Sequence, residues 1–315
     1  MSSIKHIEIF PYTAEWQKQF EDESNRIKNT LGDICHQVHH IGSTAVPGLS
    51  AKDTIDILCV VNDLSHSLVL QELGYVFKGE FNIPLRYYFS KNTPTLKVNL
   101  HVVEPDHGFI HLNLCFRDYL RSNEKTRLDY KALKHRLIQD PINFERVNGG
   151  FPRYTLEKND FIKSTLQAAN FDGIAVNFCT HHREWETYHR IRTEQLFAPT
   201  GITYDPNHPT LSADNHYHFV LYKGTIIVTV AQIEMLDNDV AVLRSIATDT
   251  PHQRQGHASY LLRFVEQWLH HLNIKAIKTH AELAAEYFYR NQGYVDMLFD
   301  DISISNTIVN LGKTL

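Results

Sequence analysis

Hydrophobic residues recur with helical spacing in several parts of the chain. Trp16, Phe20, Ile27 and Leu31 fall on one side of a helix predicted from Thr13 to Leu31. The clearest periodicity lies between residues 256 and 272, where apolar residues follow i, i+3, i+4, i+7 spacing. Further helices are predicted over 109–121, 125–137, 156–168, 182–195 and 284–293.

Short apolar runs between these helices predict strands. The run over 55–61 is nearly all apolar, which is typical of a central strand. A Lys223-Gly224 turn joins the strands predicted at 216–222 and 225–235 into a hairpin. The other predicted strands are 7–10, 38–41, 85–90, 96–103, 174–178, 240–247 and 273–279. This order predicts an α+β protein with two domains, 1–168 and 174–315.

Length and charge narrow the class of protein. The 315 residues are enough for two domains, and no apolar run has the length needed to cross a bilayer. The start, Met-Ser-Ser-Ile-Lys-His, has no apolar signal-peptide region. The net charge of −5 gives no electrostatic case for a nucleic-acid partner. Four scattered cysteines predict reduced thiols, and we expect a cytoplasmic protein with no membrane partner.

The loop between the strand at 240–247 and the helix that follows it has the pattern Gln253-x-x-Gly256-x-Ala258. Small residues at the start of a helix leave convergent backbone N–H groups, with the positive end of the helix dipole behind them. Such a loop binds phosphate. The predicted phosphate-binding residues are Gln253, Arg254, Gln255, Gly256, His257 and Ala258.

A second motif follows in the same block. After the strand at 273–279 comes a helix with the pattern A-x-x-F-Y-x-x-x-G-Y, carried by Ala285, Phe288, Tyr289, Gly293 and Tyr294. The two motifs in this order resemble the GNAT acetyltransferase superfamily. The resemblance implies the GNAT acyl-CoA N-acyltransferase fold and acetyl-CoA as cosubstrate.

The same resemblance assigns roles to individual residues. The diphosphate of acetyl-CoA would lie on the glycine loop, and its pantetheine arm would pair with Ile246, Ala247 and Thr248. Tyr289 is implied as the proton donor to the departing thiolate. Glu234, followed by Asp237 and Asp239, is predicted as the general base for an amine acceptor. A small amine or a peptide N-terminus is the expected acceptor, and the type of enzyme suggests a homodimer.

The first block carries its own motif, H-I-G-S-T-A-V-P-G-L-S-A-K-D-T-I-D-I over residues 40–57. The pattern continues through Arg86-Tyr-Tyr-Phe, Asn99-Leu-His-Val-Val-Glu, Phe116-Arg-Asp-Tyr-Leu-Arg, Tyr130-x-x-Leu-Lys and Tyr154-x-x-x-Lys. This block resembles the GrpB family, which implies a nucleotidyltransferase-like mixed sheet with helices.

The chemistry of the first block points to an anion or nucleotide. A Gly-Ser pair followed by an aspartate on a buried strand suits phosphate binding, with Asp56 holding Mg²⁺. The predicted anion-site residues are Gly42, Ser43, Lys52, Asp56, Arg86, His101 and Arg117. Nucleotidyl transfer normally uses two or three carboxylates, but Leu58 stands where a second acid would follow Asp56, and Asn99 and His101 stand where the implied fold would place a third. These departures favour a binding domain or a different reaction.

Three functions remain open from the sequence. The first is a bifunctional protein in which a GrpB-type phosphate-binding domain precedes an acetyl-CoA-dependent N-acetyltransferase. The second is a sensor that binds coenzyme A or nucleotide without turnover. The third places nucleotidyl or phosphoryl transfer in the first block.

Overall fold

The computed structural model describes residues 7–147, 152–236, 239–298 and 307–315. Contacts within the chain divide it into two compact units, residues 1–175 with 223–225 and residues 176–222 with 226–315. Each unit contains one β-sheet, and helices pack on both sheets. None of the helices in the described part of the chain has the length and apolarity that crossing a membrane requires.

The sheet of the first unit has five strands in the order β1-β2-β5-β4-β3. Its strands are β1 (Cys35–Ile41), β2 (Ile55–Val61), β3 (Val76–Phe77), β4 (Arg86–Asn92) and β5 (Lys97–Val103). The pair β2–β5 is parallel, whereas β1–β2, β3–β4 and β4–β5 are antiparallel. The apolar run over 55–61 is therefore an inner strand, as predicted, and the sheet is mixed.

The helices of the first unit are α1 (Glu15–Leu31), α2 (Gly108–Ser122), α3 (Glu124–Leu137), α4 (Arg153–Leu156) and α5 (Asn159–Ala168). Helix α2 packs against the sheet through Phe109, Ile110 and Leu114. The helix predicted over 156–168 is interrupted, since a turn at Glu157–Lys158 separates α4 from α5. The strand predicted at 7–10 is wrong, because only Phe10 forms a bridge, to Ala51.

The sheet of the second unit has seven strands in the order β11-β12-β10-β9-β8-β7-β6. Its strands are β6 (Ile174–Phe178), β7 (His216–Lys223), β8 (Ile226–Leu236), β9 (Val240–Thr248), β10 (Ala276–Glu282), β11 (Val295–Asp296) and β12 (Ile308–Thr314). β8–β9 and β10–β12 are antiparallel, and β9–β10 is parallel. Strands β11 and β12 were not predicted.

The α-helices in the described residues of the second unit are α6 (His182–Arg192), α7 (His257–His271) and α8 (Glu286–Asn291). The predicted apolar side of α7 is buried through Leu261, Leu262, Val265, Trp268 and Leu269. Leu272, placed on that side by the sequence, lies just past the helix and is 43% exposed.

Candidate functional sites

Asp56 lies on β2 directly beside Asn99 of β5. Asn99 Nδ2 donates a hydrogen bond of 2.8 Å to Asp56 Oδ1, and the hydroxyl of Tyr88 donates at 2.8 Å to Asn99 Oδ1. Burial raises the pKa of Asp56. The amide at position 99 therefore acts as a hydrogen-bond donor to the carboxylate, where a third acid would have repelled it.

The backbone at Gly42 makes room for this carboxylate. Gly42 has φ +70°, and a Cβ built there would lie 2.3 Å from Asp56 Oδ2. Any other residue would clash with Asp56 and strain the backbone. Ser43 opens the short 3₁₀ turn Ser43–Ala45 that follows. The Gly-Ser pair and Asp56 thus lie side by side, as the motif predicts.

Three lysines meet this Gly-Ser turn and Asp56. Lys134, which is 2% exposed, donates from Nζ to Ser43 Oγ at 3.1 Å and also to the carbonyl of Ser50. Nζ of Lys52 and Nζ of Lys158 lie 4.5 Å and 4.6 Å from the centroid of the same Tyr154 ring.

Burial and mutual repulsion perturb these lysines. Burial, with the charge of Lys158 as a second cause, lowers the pKa of Lys134 to about 7. Burial and the charge of Lys52 lower the pKa of Lys158 to about 8, against the attraction of Asp56. Burial also lowers the pKa of Lys52. Burial is the main cause for all three lysines, and repulsion by a neighbouring lysine adds to it for Lys134 and Lys158.

Lys134 and Lys158 were not among the predicted site residues. A signal for them was present, because each lysine follows a tyrosine by four residues, Tyr130 in one case and Tyr154 in the other. Lys134 Nζ lies 4.7 Å from the Tyr130 ring centroid, so both tyrosine–lysine pairs are in contact. The repeated spacing marks a role for the amine that packing alone does not require.

Arg86 and His101 form a buried pair of their own. Arg86 Nη1 lies 2.8 Å from His101 Nδ1, and Nη2 donates at 2.8 Å to the carbonyl of Glu80. Burial lowers the pKa of Arg86 to about 10, and burial with the nearby Arg86 charge holds the pKa of His101 well below its usual range. His101 is therefore neutral, and Arg86 directs Nη1 and Nη2 at groups of the same unit, while its buried Nε has no hydrogen-bond partner among the described residues.

Arg117 is also engaged elsewhere. Its Nη1 donates to the carbonyl of His40 at 3.0 Å, and its Nε and Nη2 bind the two carboxylate oxygens of Asp118 at 2.7 and 3.1 Å. The fold therefore brings Gly42, Ser43, Lys52 and Asp56 together with Lys134 and Lys158. It gives Arg86, His101 and Arg117 other partners.

The surroundings of Asp56 do not fit the predicted Mg²⁺. Magnesium prefers several oxygen ligands in a regular geometry. Asp56 instead faces the amide N–H of Asn99 and the positive charges of Lys52 and Lys158. In the described ranges, no three His, Cys, Asp or Glu side chains are grouped closely enough to hold a metal ion. The donor set favours an anion at this position.

In the second unit, β9 and β10 part from one another. Their parallel register covers Ala276–Val240, Ile277–Ala241 and Lys278–Val242. β9 continues to Thr248 and pairs with β8 along one edge, through Ile246, Ala247 and Thr248. The register of β8–β9 shifts between Gln232 and Ile233, which leaves Arg244 as the extra residue of a bulge. Among the described residues, the backbone pairing of β9 with β10 ends at Val242, and the next contact is the hydrogen bond from Thr279 Oγ1 to the carbonyl of Leu243.

The predicted phosphate loop follows the end of β9. Gln253 Nε2 donates to the carbonyl of Thr248 at 3.1 Å and to Gln195 Oε1 at 2.9 Å, which fixes the loop to the end of β9. Arg254 and Gly256 have φ of +59° and +84°. Gln253, Arg254, Gln255 and Gly256 are exposed, Ala258 is half-buried and His257 is buried. The first turn of α7 thus begins with its backbone amides at an exposed loop.

Tyr289 of α8 lies beside the point where the strands part. Its hydroxyl is within hydrogen-bonding reach of Thr279 on β10, and Thr279 Oγ1 donates at 2.9 Å to the carbonyl of Leu243 on β9. Tyr289 is 6% exposed, and burial raises its pKa to about 12. The phenol is therefore a weaker acid than a tyrosine exposed to solvent, and it is protonated at physiological pH.

Glu234 of β8 has partners at both carboxylate oxygens. Oε2 accepts from Arg244 Nε at 2.6 Å, and Oε1 accepts from Asn215 Nδ2 at 3.2 Å. His216 Nε2 lies 3.7 Å from Oε1. Asp239 lies in the turn before β9, and Asp237 falls outside the described residues. Any base function of Glu234 would have to compete with its ion pair to Arg244.

Comparison with known proteins finds matches for both units. The family model for the C-terminal domain of Increased DNA methylation 1 matches residues 200–303. Among solved structures, a putative N-acetyltransferase from Lactobacillus plantarum aligns with a TM-score of 0.40 and 20% identity. That alignment covers 45% of this chain and 98% of the other.

The first unit matches proteins of similar sequence. The UPF0157 protein BH1888 of Halalkalibacterium halodurans is 37% identical over 168 residues, which are 52% of this chain and 83% of that protein. The UPF0157 protein YqkA of Bacillus subtilis is 32% identical over 170 residues, and the match spans about half of that protein, 48% of its length. The family model for GrpB protein matches residues 6–168, more than half of the chain, and the chain therefore belongs to the GrpB family.

Proposed function

We propose that the second unit is an acetyl-CoA-dependent N-acetyltransferase. The main support for the proposal is that the backbone pairing of β9 with β10 ends at Val242. Tyr289 lies beside this point, and the Gln253–Ala258 loop follows the end of β9. A ligand bound there would meet the backbone of β9, the backbone amides at the start of α7 and the hydroxyl of Tyr289. A ligand with an amide-rich arm, a diphosphate and a thioester has complementary chemistry at each position.

The backbone would position this ligand. The backbone of β9 at Ile246, Ala247 and Thr248 would pair with amides of the pantetheine arm. The amides at the start of α7 would bind the diphosphate, aided by the helix dipole. Gly256 suits this loop because glycine adopts a φ of +84° without strain. No heavy atom lies within 4 Å of a Cβ built at Gly256, so the space in front of it is free for a ligand.

The reaction needs one bond formed and one bond broken. The acceptor nitrogen would attack the thioester carbonyl, the new C–N bond would form, and the C–S bond would break. Tyr289 would donate its phenolic proton to the leaving thiolate, while the acceptor nitrogen loses a proton. We propose Glu234 as the base, released from Arg244 when the acceptor binds.

For the first unit we propose binding of a phosphate-bearing ligand, such as a nucleotide, at Ser43, Lys52 and Asp56. The contact between Lys134 and Ser43 Oγ supports this role. Nucleotidyl or phosphoryl transfer in this unit is the alternative, but it lacks support from a second carboxylate next to Asp56. We further expect a cytoplasmic location, a small amine or peptide N-terminus as acceptor, and a homodimer.

The test is thiol release from acetyl-CoA by the purified protein, measured with polyamines, aminoglycosides, amino acids and peptides as acceptors. Release that depends on one class of acceptor would establish the acetyltransferase and its substrate class together. Tight acetyl-CoA binding with no release for any acceptor would instead favour a sensor. A protein that does not bind acetyl-CoA would contradict the assignment of this site.

A further inference from the structure

The lysines around Asp56 carry more charge than their surroundings balance. Lys52 and Lys158 both feel the charge of one carboxylate, that of Asp56, and Lys134 lies close enough to Lys158 to be repelled by it. Lys134 is satisfied by Ser43 and Ser50. In the parts of the chain that the structure describes, the ammonium groups of Lys52 and Lys158 make no hydrogen bond and no ion pair, and each lies over the Tyr154 ring.

Such an arrangement is costly without a ligand. A partly buried ammonium loses hydration, and contact with an aromatic face recovers only part of that loss. Structural lysines of this kind normally pair with a carboxylate, as Lys91 does with Glu23 at 2.7 Å in the same unit. Lys52 and Lys158 lack this pairing, which indicates that their partner is not part of the described chain.

The neighbouring groups specify an anion with several oxygens. Ser43 Oγ, held by Lys134, offers a hydroxyl at one end of the cluster. The ammonium groups are divided between two rings, Lys134 at Tyr130 and the other two at Tyr154. A diphosphate or triphosphate carries enough negative charge and enough oxygens to match three ammonium groups and a hydroxyl.

We propose that Lys52, Lys134 and Lys158, with the Ser43 hydroxyl, bind the phosphate groups of a diphosphate- or triphosphate-bearing ligand without a metal ion. The lysines supply the positive charge that Mg²⁺ supplies at most polyphosphate sites. Asp56 does not bind metal in this arrangement, and its negative charge opposes that of the ligand. This inference deepens the proposed phosphate binding by the first unit and is independent of acetyl transfer in the second.

The experiment is calorimetric titration of the full chain with inorganic tripolyphosphate and with ATP, in EDTA and at constant ionic strength. We expect binding in EDTA and a loss of about tenfold or more in affinity for Lys52→Met and for Lys158→Met, because each removes a charged contact. Lys125→Met is the matched control, since it removes the same charge from an exposed position on α3. Its affinity should stay within twofold of the wild type.

Asp56→Asn separates this site from a magnesium site. At a lysine site the substitution removes repulsion, so the affinity for tripolyphosphate in EDTA should rise; at a magnesium site the affinity would fall and require Mg²⁺.

Equal affinity for tripolyphosphate and ATP would identify the phosphates as the recognised part, and tighter ATP binding would add the nucleoside. The proposal is overturned by binding that needs Mg²⁺, by lysine variants that bind like Lys125→Met, or by a folded protein that binds neither probe. None of these results would contradict the proposed acetyl transfer, because thiol release from acetyl-CoA is assigned to the second unit.

Discussion

At the scale of single residues, Tyr289 shows how position and environment combine. Its place on α8 puts the phenol beside Thr279, at the opening between β9 and β10. Its burial raises the pKa to about 12. Tyr289 therefore lies where a proton donor is proposed, and its hydroxyl keeps its proton at the pH values commonly used in enzyme assays.

We expect Tyr289→Phe to lower the turnover of thiol release by about a hundredfold or more while leaving acetyl-CoA affinity unchanged, as loss of a general acid does. Tyr287→Phe is the matched control, because Tyr287 lies on the same helix and is 78% exposed. The wild-type rate should not fall between pH 8 and 10 through Tyr289, since the proton leaves only near a pKa of about 12. Equal turnover of the two variants would remove the acid role.

The groups around the Asp56 carboxylate show the difference between position and charge at the same scale. The motif placed Gly42, Ser43 and Asp56 together correctly, because a glycine with φ +70° is what lets the carboxylate approach the turn. The charges around Asp56 do not suit the predicted magnesium ion, since an amide N–H donates to the carboxylate and two lysines lie near it. The identity of a residue in a motif does not fix the sign of the potential around it.

At the scale of elements, the loop that precedes α7 is the feature on which cosubstrate binding depends. Gln253 ties it to Thr248 at the end of β9, and Gly256 begins the helix in the left-handed region. The loop is exposed, so its shape is set by local backbone preferences and these few contacts.

We expect Gly256→Val to abolish measurable acetyl-CoA binding, because a branched side chain would strain the backbone and occupy the space in front of the helix amides. Gly201→Val is the matched control, since Gly201 has φ +73°, lies in the same unit and also has open space around its Cβ position. Titration of both variants with acetyl-CoA measures the effect. Wild-type affinity in Gly256→Val would show that the diphosphate lies elsewhere.

At the scale of the whole molecule, the two proposed sites belong to separate units, each with its own sheet. The lysine cluster is made from residues of the first unit, and the site beside Tyr289 from residues of the second. Positive charge is concentrated at the first site although the chain carries a net charge of −5.

Because no residue is shared, we expect Lys158→Met to leave thiol release from acetyl-CoA within twofold of the wild type. Conversely, Tyr289→Phe should bind tripolyphosphate with wild-type affinity. Both measurements use the full chain. A fall in acetyl transfer when Lys158 is replaced, with the protein still folded, would show that the sites are coupled and that the first unit regulates the second.

The sequence by itself determined what depends on neighbouring residues. Helical periodicity located α1 and α7, the nearly all-apolar run identified β2 as an inner strand, and local motifs marked the Gly42–Ser43 turn and the Gly256 loop. These features are set by backbone preferences and by the spacing of apolar residues over one element. The predicted strand at 7–10 failed because an apolar run needs a partner to pair with, and Phe10 has a single bridge.

Only the tertiary structure decided what depends on residues distant in the chain. Lys134 on α3 and Lys158 in the turn before α5 come close to Ser43 and Asp56 through packing that no local pattern specifies, and the same packing brings Arg117 to the carbonyl of His40. β12 pairs with both β10 and β11, and β9 parts from β10 after three residue pairs. Charge balance and strand separation arise from the sum of many long-range contacts, which is why a local pattern predicted the elements but not which side chains share a site.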